Sequence, residues 1–305
     1  MTEAAQIRRL KRQIRALRCA PSPMVPLAGL ARQRCIACGG TDLSVCRYPA
    51  YQSRFFAGLI LAQCGACGLA WVPLPGLDLD DYYTNHYADE FRVERAYDGA
   101  FYGPENPIWS KPEHKGRDRA RGHAADLARF GPFSRVLDLG AGEGLFLHAV
   151  EAAEKYAVEP DAYSVRILRD ELGVTVQDLD ARRDFFDLVM SSHSLEHFTY
   201  DRLGGVLAGV LAALRPGGLF HVEVPAGAAQ LERFVSGERG TRQRLEPHTL
   251  FFSSHALALV LARAGFELVE SAVCPWTETH IGADLPAPAV RRAGPALIVI
   301  ARRPD

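Results

Sequence analysis

Arg135-Val-Leu-Asp-Leu-Gly-Ala-Gly-Glu-Gly144 is the stretch on which the reading of this chain turns. Val136–Leu139 has the short apolar character of a buried strand, and Gly140, Gly142 and Gly144 form a turn into a helix that begins near Leu145. Glycines at such a turn let backbone approach a ligand closely at the carboxyl edge of a sheet. The spacing is G-x-G-x-G and not the G-x-G-x-x-G of a dinucleotide fingerprint, so a nicotinamide dehydrogenase is disfavoured.

Two acids refine the ligand. Asp138 stands just ahead of the glycines, where a pyrophosphate would not tolerate a carboxylate. An acid there suits a ligand with a positive amine and no phosphate, such as the methionine portion of S-adenosylmethionine. Glu159 ends an expected second strand, Tyr156–Val158, at the place from which a carboxylate accepts ribose hydroxyls. Strand-end acids commonly cap helices, so the combination with the glycines carries more than either acid alone. Strands and helices alternate through the remainder, which implies a parallel α/β sheet with crossovers.

VLDLGAGEG, the acid in AVEPD, FDLVMSSHSLEHF (186–198) and LRPGGLFHVEVP (214–225) resemble, in order, the motifs of class I S-adenosylmethionine-dependent methyltransferases. The resemblance covers roughly residues 115–303. It implies a doubly wound, seven-stranded Rossmann-like sheet whose last strand, ALIVIA (296–301), runs antiparallel. Carried over residue by residue, it places Gly140, Ala141 and Gly142 beside the methionine portion of the cofactor, with Asp138 and Gly144 completing the cofactor-binding turn. Glu159 would then sit on the ribose, Asp178 near the adenine amine, and Ser192 and His193 beside the sulfonium.

Methyl transfer is an in-line displacement, and a hydroxyl or carbon acid acceptor also needs a base. Candidates lie beyond the fourth and fifth strands: His193, His197 and Glu223, together with His248 in LEPHTLFFS (245–253). EPHTLFFS resembles a segment of sugar-nucleotide C-methyltransferases in which a Glu and a His serve acid–base roles, here Glu246 and His248. It departs from that pattern at Pro247, which separates the two, and at Arg244, where a tyrosine often lies. For each histidine, packing or helix capping is the competing reading. Residues 226–247 read as a lid insertion whose Arg239, Arg242 and Arg244 could pair with a diphosphate, or as a solvated surface loop.

Toward the N-terminus, Cys35-Ile-Ala-Cys38 and Cys64-Gly-Ala-Cys67 are two C-x2-C knuckles with 25 residues between them. Two such pairs complete a tetrahedral four-thiolate shell, so a structural zinc ion is expected, with redox use of one pair as the alternative. Leu43–Arg47 and Leu59–Gln63 are short enough to be ribbon strands. The expected organisation is therefore a basic helix in 1–30, a zinc-ribbon-like module in 31–75, a connector in 76–112 and the cofactor-binding domain in 113–305. A four-cysteine module ahead of such a domain is similar to sugar methyltransferases of bacterial polysaccharide and deoxysugar pathways.

Composition sets the outer bounds. The chain has 305 residues, 48% hydrophobic and 23% charged, enough to bury a large core without a disulfide scaffold. No apolar run approaches a membrane span, and the N-terminus lacks the apolar core of a secretory signal, so a cytoplasmic protein is expected. The net charge of −1 is uneven: residues 1–34 carry eight Lys/Arg against Glu3, a net of +7. Ile7, Leu10, Ile14 and Leu17 stripe that segment at helical spacing, which suits a helix docked on its own domain, a dimer seam, or an RNA or acidic-partner contact.

The leading expectation is a methyltransferase acting on a small molecule, a nucleotide-linked sugar or glycan precursor. An RNA methyltransferase using the basic helix and cysteine module is the alternative, although residues 35–134 are not basic and no RNA module is recognisable. A non-catalytic cofactor-binding scaffold is a third reading. Oligomeric state, and transfer to carbon, oxygen or nitrogen, stay open.

Overall fold

Alternate residues of the central strands face opposite ways, as the period of a β-strand requires, and both faces are buried. In strand β5 (Phe133–Leu139), Leu137 and Leu139 join one apolar cluster while Val136 joins another. Strand β8 (Phe186–Ser192) repeats the division, with Val189 on one side and Leu188 and Met190 on the other. A sheet buried on both faces needs helices on both, and the chain supplies them. Helix α2 (Lys115–Leu127), the short α3 (Leu145–Ala149) and α4 (Ala162–Asp170) cover the second face. Helices α5 (Leu203–Ala213) and α6 (Ser254–Arg263) cover the first.

This computed structural model describes residues 25–26, 34–48, 56, 59–73, 78–86, 115–227, 230–231, 248–273 and 296–305. Besides β5 and β8, the large sheet contains β6 (Ala152–Val158), β7 (Thr175–Val176), β9 (Leu214–Pro225), β11 (Glu267–Val273) and β12 (Ala296–Arg302). Its order is β11-β12-β9-β8-β5-β6-β7. The neighbours from β9 to β7 are parallel, whereas β12 runs antiparallel to both β9 and β11. The doubly wound α/β sheet with an antiparallel last strand is as expected. β5 is flanked by β6 and β8, so the chain crosses over in opposite directions from it, and a crevice opens beyond its carboxyl end.

The smaller sheet runs β1 (Val25–Pro26), β2 (Leu43–Arg47), β3 (Ile60–Cys64), β4 (Ala70–Trp71) and β10 (Leu250–Phe251). The two ribbon strands lie where the sequence places them, the second displaced by one residue. Its last strand is a departure from the expected organisation. β10 comes from the far side of the large domain, pairing Leu250 with Trp71 and Phe251 with Ala70. The cysteine module is thus stitched into the domain. Trp71 stacks on Tyr200 at 4.7 Å, and the Tyr200 hydroxyl accepts from the Ile36 amide and donates to the Arg34 carbonyl, both at 2.6 Å. The Ser253 hydroxyl caps α6 by accepting from the Ala256 amide and also donates to the Cys67 carbonyl.

Among the described residues, no helix is long and apolar enough to cross a membrane. The stripe Ile7–Leu17 and nearly all of 76–112 beyond Asp78–His86 lie outside the described residues. Helix α1 (Leu79–Asp81), capped by Asp78, leads into a π-type turn, Tyr82–His86, which brings Tyr83 to the large domain.

Candidate active site

The glycine turn closes over the end of β6: the Gly140 amide donates to the Val158 carbonyl at 2.8 Å, and the Gly142 amide donates to Glu159 Oε2 at 2.7 Å. Gly140, Gly142 and Gly144 all have positive φ, which excludes most side chains without strain. What surrounds each separates their jobs. A Cβ on Gly140 would stand 2.3 Å from the Ser194 hydroxyl, and one on Gly144 would stand 2.5 Å from a methyl of Leu172. Those two are glycines because protein fills the space. A Cβ on Gly142 would meet nothing within 4 Å. Gly142 faces open room, where a ligand can lie against bare backbone.

Asp138 is 4% exposed, one residue from the turn. Burial, with the charge of Glu159 adding to it, pushes its carboxyl up to about 8. A carboxyl so placed is an acid short of a cation. Glu159 Oε1 also accepts from the Asp161 amide at 2.9 Å, so both of its oxygens hold backbone. Ala141 lies in the same turn. Asp178 follows β7 as an exposed residue ahead of the 3₁₀ turn Leu179–Ala181, a strand away from Glu159.

Beyond β8 and β9 stands a second group, centred on Glu223. This carboxylate is 3% exposed; its Oε2 accepts from the Ser192 hydroxyl at 2.5 Å and pairs with His123 Nε2 at 2.9 Å. Arg119 Nε lies 3.6 Å away, and His193 Nε2 approaches the other oxygen at 3.8 Å. Burial alone would raise the Glu223 carboxyl, but the His123 hydrogen bond and the surrounding His193, His123 and Arg119 charges hold it well below the carboxylate range. His123 and Arg119, both on α2, were not picked out by the sequence. The contact with Glu223 spans a hundred residues, and no local spacing encodes it.

His193 has φ +54°, a left-handed conformation costly for a side-chain-bearing residue. Its amide donates to the Glu223 carbonyl at 2.8 Å, which holds the turn. The imidazole, 30% exposed, lies between two carboxylates, with Nδ1 3.5 Å from Glu196 Oε1. Desolvation lowers its pKa, but Glu196 and then Glu223 outweigh that and raise it. His248 is different. Burial, then the neighbouring His197, lowers it to about 3, so it stays neutral at any physiological pH. His197 and His248 meet edge to face with ring centroids 5.0 Å apart. Glu246 lies outside the described residues, as do Arg239, Arg242 and Arg244. Of the expected lid, Ala226–Gly227 and Gln230–Leu231 are described, and Leu231 is buried beside Phe251.

A family model described as a methyltransferase domain matches residues 114–271. The chain belongs to this methyltransferase family. No curated protein matches the methyltransferase. Solved structures similar to it include 1,6-didemethyltoxoflavin-N1-methyltransferase from Burkholderia thailandensis, bound to 1,6-didemethyltoxoflavin and S-adenosylhomocysteine, at 21% identity. That match covers 80% of this chain and 96% of the other, with a TM-score of 0.45. The N-methyltransferase NodS from Bradyrhizobium japonicum, in complex with S-adenosylhomocysteine, matches at 14% identity over 69% of this chain and 94% of the other, TM-score 0.45. A possible histamine N-methyltransferase from Thermotoga maritima matches at 19% identity over 62% and 91%, TM-score 0.41.

The four cysteines converge as their spacing implies. Cys35 and Cys67 sulfurs are 3.4 Å apart, Cys38 and Cys64 sulfurs 3.5 Å, and all four lie within 4.8 Å of one another. Sulfurs about 2.3 Å from one tetrahedral zinc ion would be separated by about 3.8 Å, so the cluster fits that ion. The contact with Cys67 holds the Cys35 thiol down at about 5 and pushes Cys67 up. Four converging sulfurs are the donor set of a cation site.

Proposed function

We propose that this methyltransferase draws its methyl group from S-adenosylmethionine and delivers it to a hydroxyl-bearing small molecule, a nucleotide-linked sugar or glycan precursor. The observation that carries the cofactor assignment is the open space above Gly142, flanked by Asp138 and Glu159. Asp138 would take the cofactor's ammonium group, Glu159 its ribose hydroxyls, and the Gly140–Gly142 backbone its amino-acid portion. Asp178 is assigned to the adenine amine on the strength of the resemblance. When bound, the cofactor supplies an electrophilic methyl group.

The remaining work falls to the chain. His193 is the better base: partly exposed, and flanked by carboxylates that stabilise its imidazolium once it has taken the acceptor's proton. His248, lowered to about 3, holds a proton too weakly for that role and instead orients neighbouring groups. Ser192 and His123 fix the Glu223 carboxylate that faces His193. The sugar assignment rests on the sequence resemblance, and a structural zinc ion on the four sulfurs. That zinc would act at a distance: β4 carries β10, and the Tyr48 hydroxyl donates to the His248 carbonyl at 2.7 Å.

The test is transfer of labelled methyl from S-adenosylmethionine into a bacterial lysate, separated into small-molecule, glycan and RNA fractions. Label among nucleotide sugars or glycans is the expected result. Label in RNA, falling steeply as salt is raised, would replace the sugar reading. Cofactor binding with no label in any fraction would leave the scaffold.

A further inference from the structure

Glu196 is a buried carboxylate whose neighbours are three imidazoles, His193, His197 and His248. It is 1% exposed, and neither carboxylate oxygen accepts a hydrogen bond among the described residues. His193 Nδ1, at 3.5 Å, is too distant to satisfy it. A buried carboxylate ringed by imidazoles is a metal donor set, and a cation there would supply the contacts its oxygens lack. Two histidines stand beside it: ligand atoms of Glu196, His197 and His248 all lie within 4.8 Å of one another.

The surroundings prepare the His197 ring most clearly for a metal. His197 Nδ1 is engaged by the Tyr83 hydroxyl at 2.5 Å, and His248 Nδ1 lies 3.4 Å from Gln230 Oε1. Metal-binding histidines characteristically commit one ring nitrogen to such a partner, which fixes the tautomer and presents the other nitrogen to the ion. The backbone is stapled as well. The Glu196 carbonyl accepts from both the amide and the hydroxyl of Thr249, at 2.9 and 3.0 Å, locking the Leu195–His197 turn against the segment His248–Thr249 that leads into β10.

We propose that Glu196, His197 and His248 form a second metal site, separate from the four-cysteine cluster, that binds a divalent first-row transition ion through one carboxylate oxygen and two Nε2 atoms. Three ligands of this kind leave coordination positions open. Resting on the methyl-transfer reading, the open positions hold an oxygen of the acceptor. The ion would lower that hydroxyl's pKa.

Cobalt(II) loading of the full chain reads the two sites separately. Thiolate ligation gives intense sulfur-to-metal absorption in the near ultraviolet, whereas a His/carboxylate site gives only weak visible bands. The wild-type protein should take up two equivalents, one without thiolate absorption. Glu196→Gln and His248→Asn should each lose that second equivalent while keeping the thiolate band, which also reports that the fold survives. Tyr83→Phe should weaken it about tenfold. Uptake of a single equivalent with thiolate absorption alone, or a second equivalent retained in both ligand variants, overturns the site. Cobalt binding is scored without turnover, so a failed metal site and a failed methyl transfer are told apart.

Discussion

Replacing Asp138 with asparagine separates what the carboxyl costs the fold from what it gives the ligand. In the folded protein its pKa is raised to about 8, chiefly by burial, whereas in the unfolded chain it ionises near the ordinary 3.8. Between those values the unfolded state binds fewer protons than the folded one, so this group makes stability fall as pH rises from about 4 to about 8. At pH 7 the gap is about three pH units, which at about 1.4 kcal/mol each sets a ceiling near 4 kcal/mol. Asparagine cannot ionise and escapes that loss. For a chain of this size the corresponding shift in Tm is about 5 °C. Differential scanning fluorimetry of the ligand-free proteins from pH 5 to 8.5 should show Asp138→Asn gaining on wild type as pH rises. Calorimetric titration with S-adenosylmethionine should show the reverse cost, a loss of affinity of about 10- to 100-fold, the worth of a charge-assisted hydrogen bond. Wild type should release a proton on binding at pH 7, and the variant should not. A stability difference that does not change with pH, or undiminished affinity, would refute this placement of the acid.

The glycines divide: Gly142→Val should abolish cofactor affinity at a stability cost of about 1–2 kcal/mol for its backbone conformation, whereas Gly144→Val should lower Tm severely by colliding with Leu168 and Leu172. Calorimetry and thermal melts on both variants decide it. His193→Gln should cut turnover by about 10²-fold or more; in wild type, whose imidazole pKa is raised by Glu196 and Glu223, activity should climb with pH above the usual histidine range, and the variant should lose that limb. Cys64→Ser should lower bound zinc and turnover together while leaving S-adenosylmethionine affinity within a few-fold, since the cysteine module supports His248 and not the glycine turn. Zinc content by elemental analysis beside titration calorimetry checks it.

The sequence made the large sheet legible because its signals are local. A buried strand followed by close glycines, an acid closing the next strand, and a final apolar strand each declare themselves within ten residues. Helix α2 tightens its last turn to 3₁₀ at Ala128–Phe130 and stops at Gly131-Pro132, a local break of the kind sequence shows directly. Long-range pairing is what local patterns omit. Nothing near His123 or Arg119 announces Glu223, and two residues, Leu250 and Phe251, are too few to predict as the outer strand of a cysteine module 180 residues away. His193 and His248 were equivalent as letters; only their burial and charged neighbours set the two imidazoles apart, one raised and one lowered. Glu196 carried no signal beyond its motif, and its meaning came from the hydrogen bonds it lacks.

The most direct test of the central claim is titration calorimetry of the zinc-loaded full chain with S-adenosylmethionine, wild type beside Gly142→Val. The account predicts saturable one-to-one binding to wild type and none to the variant, with zinc content equal in both. Equal binding by the two proteins, or no binding by a folded wild type, would contradict it.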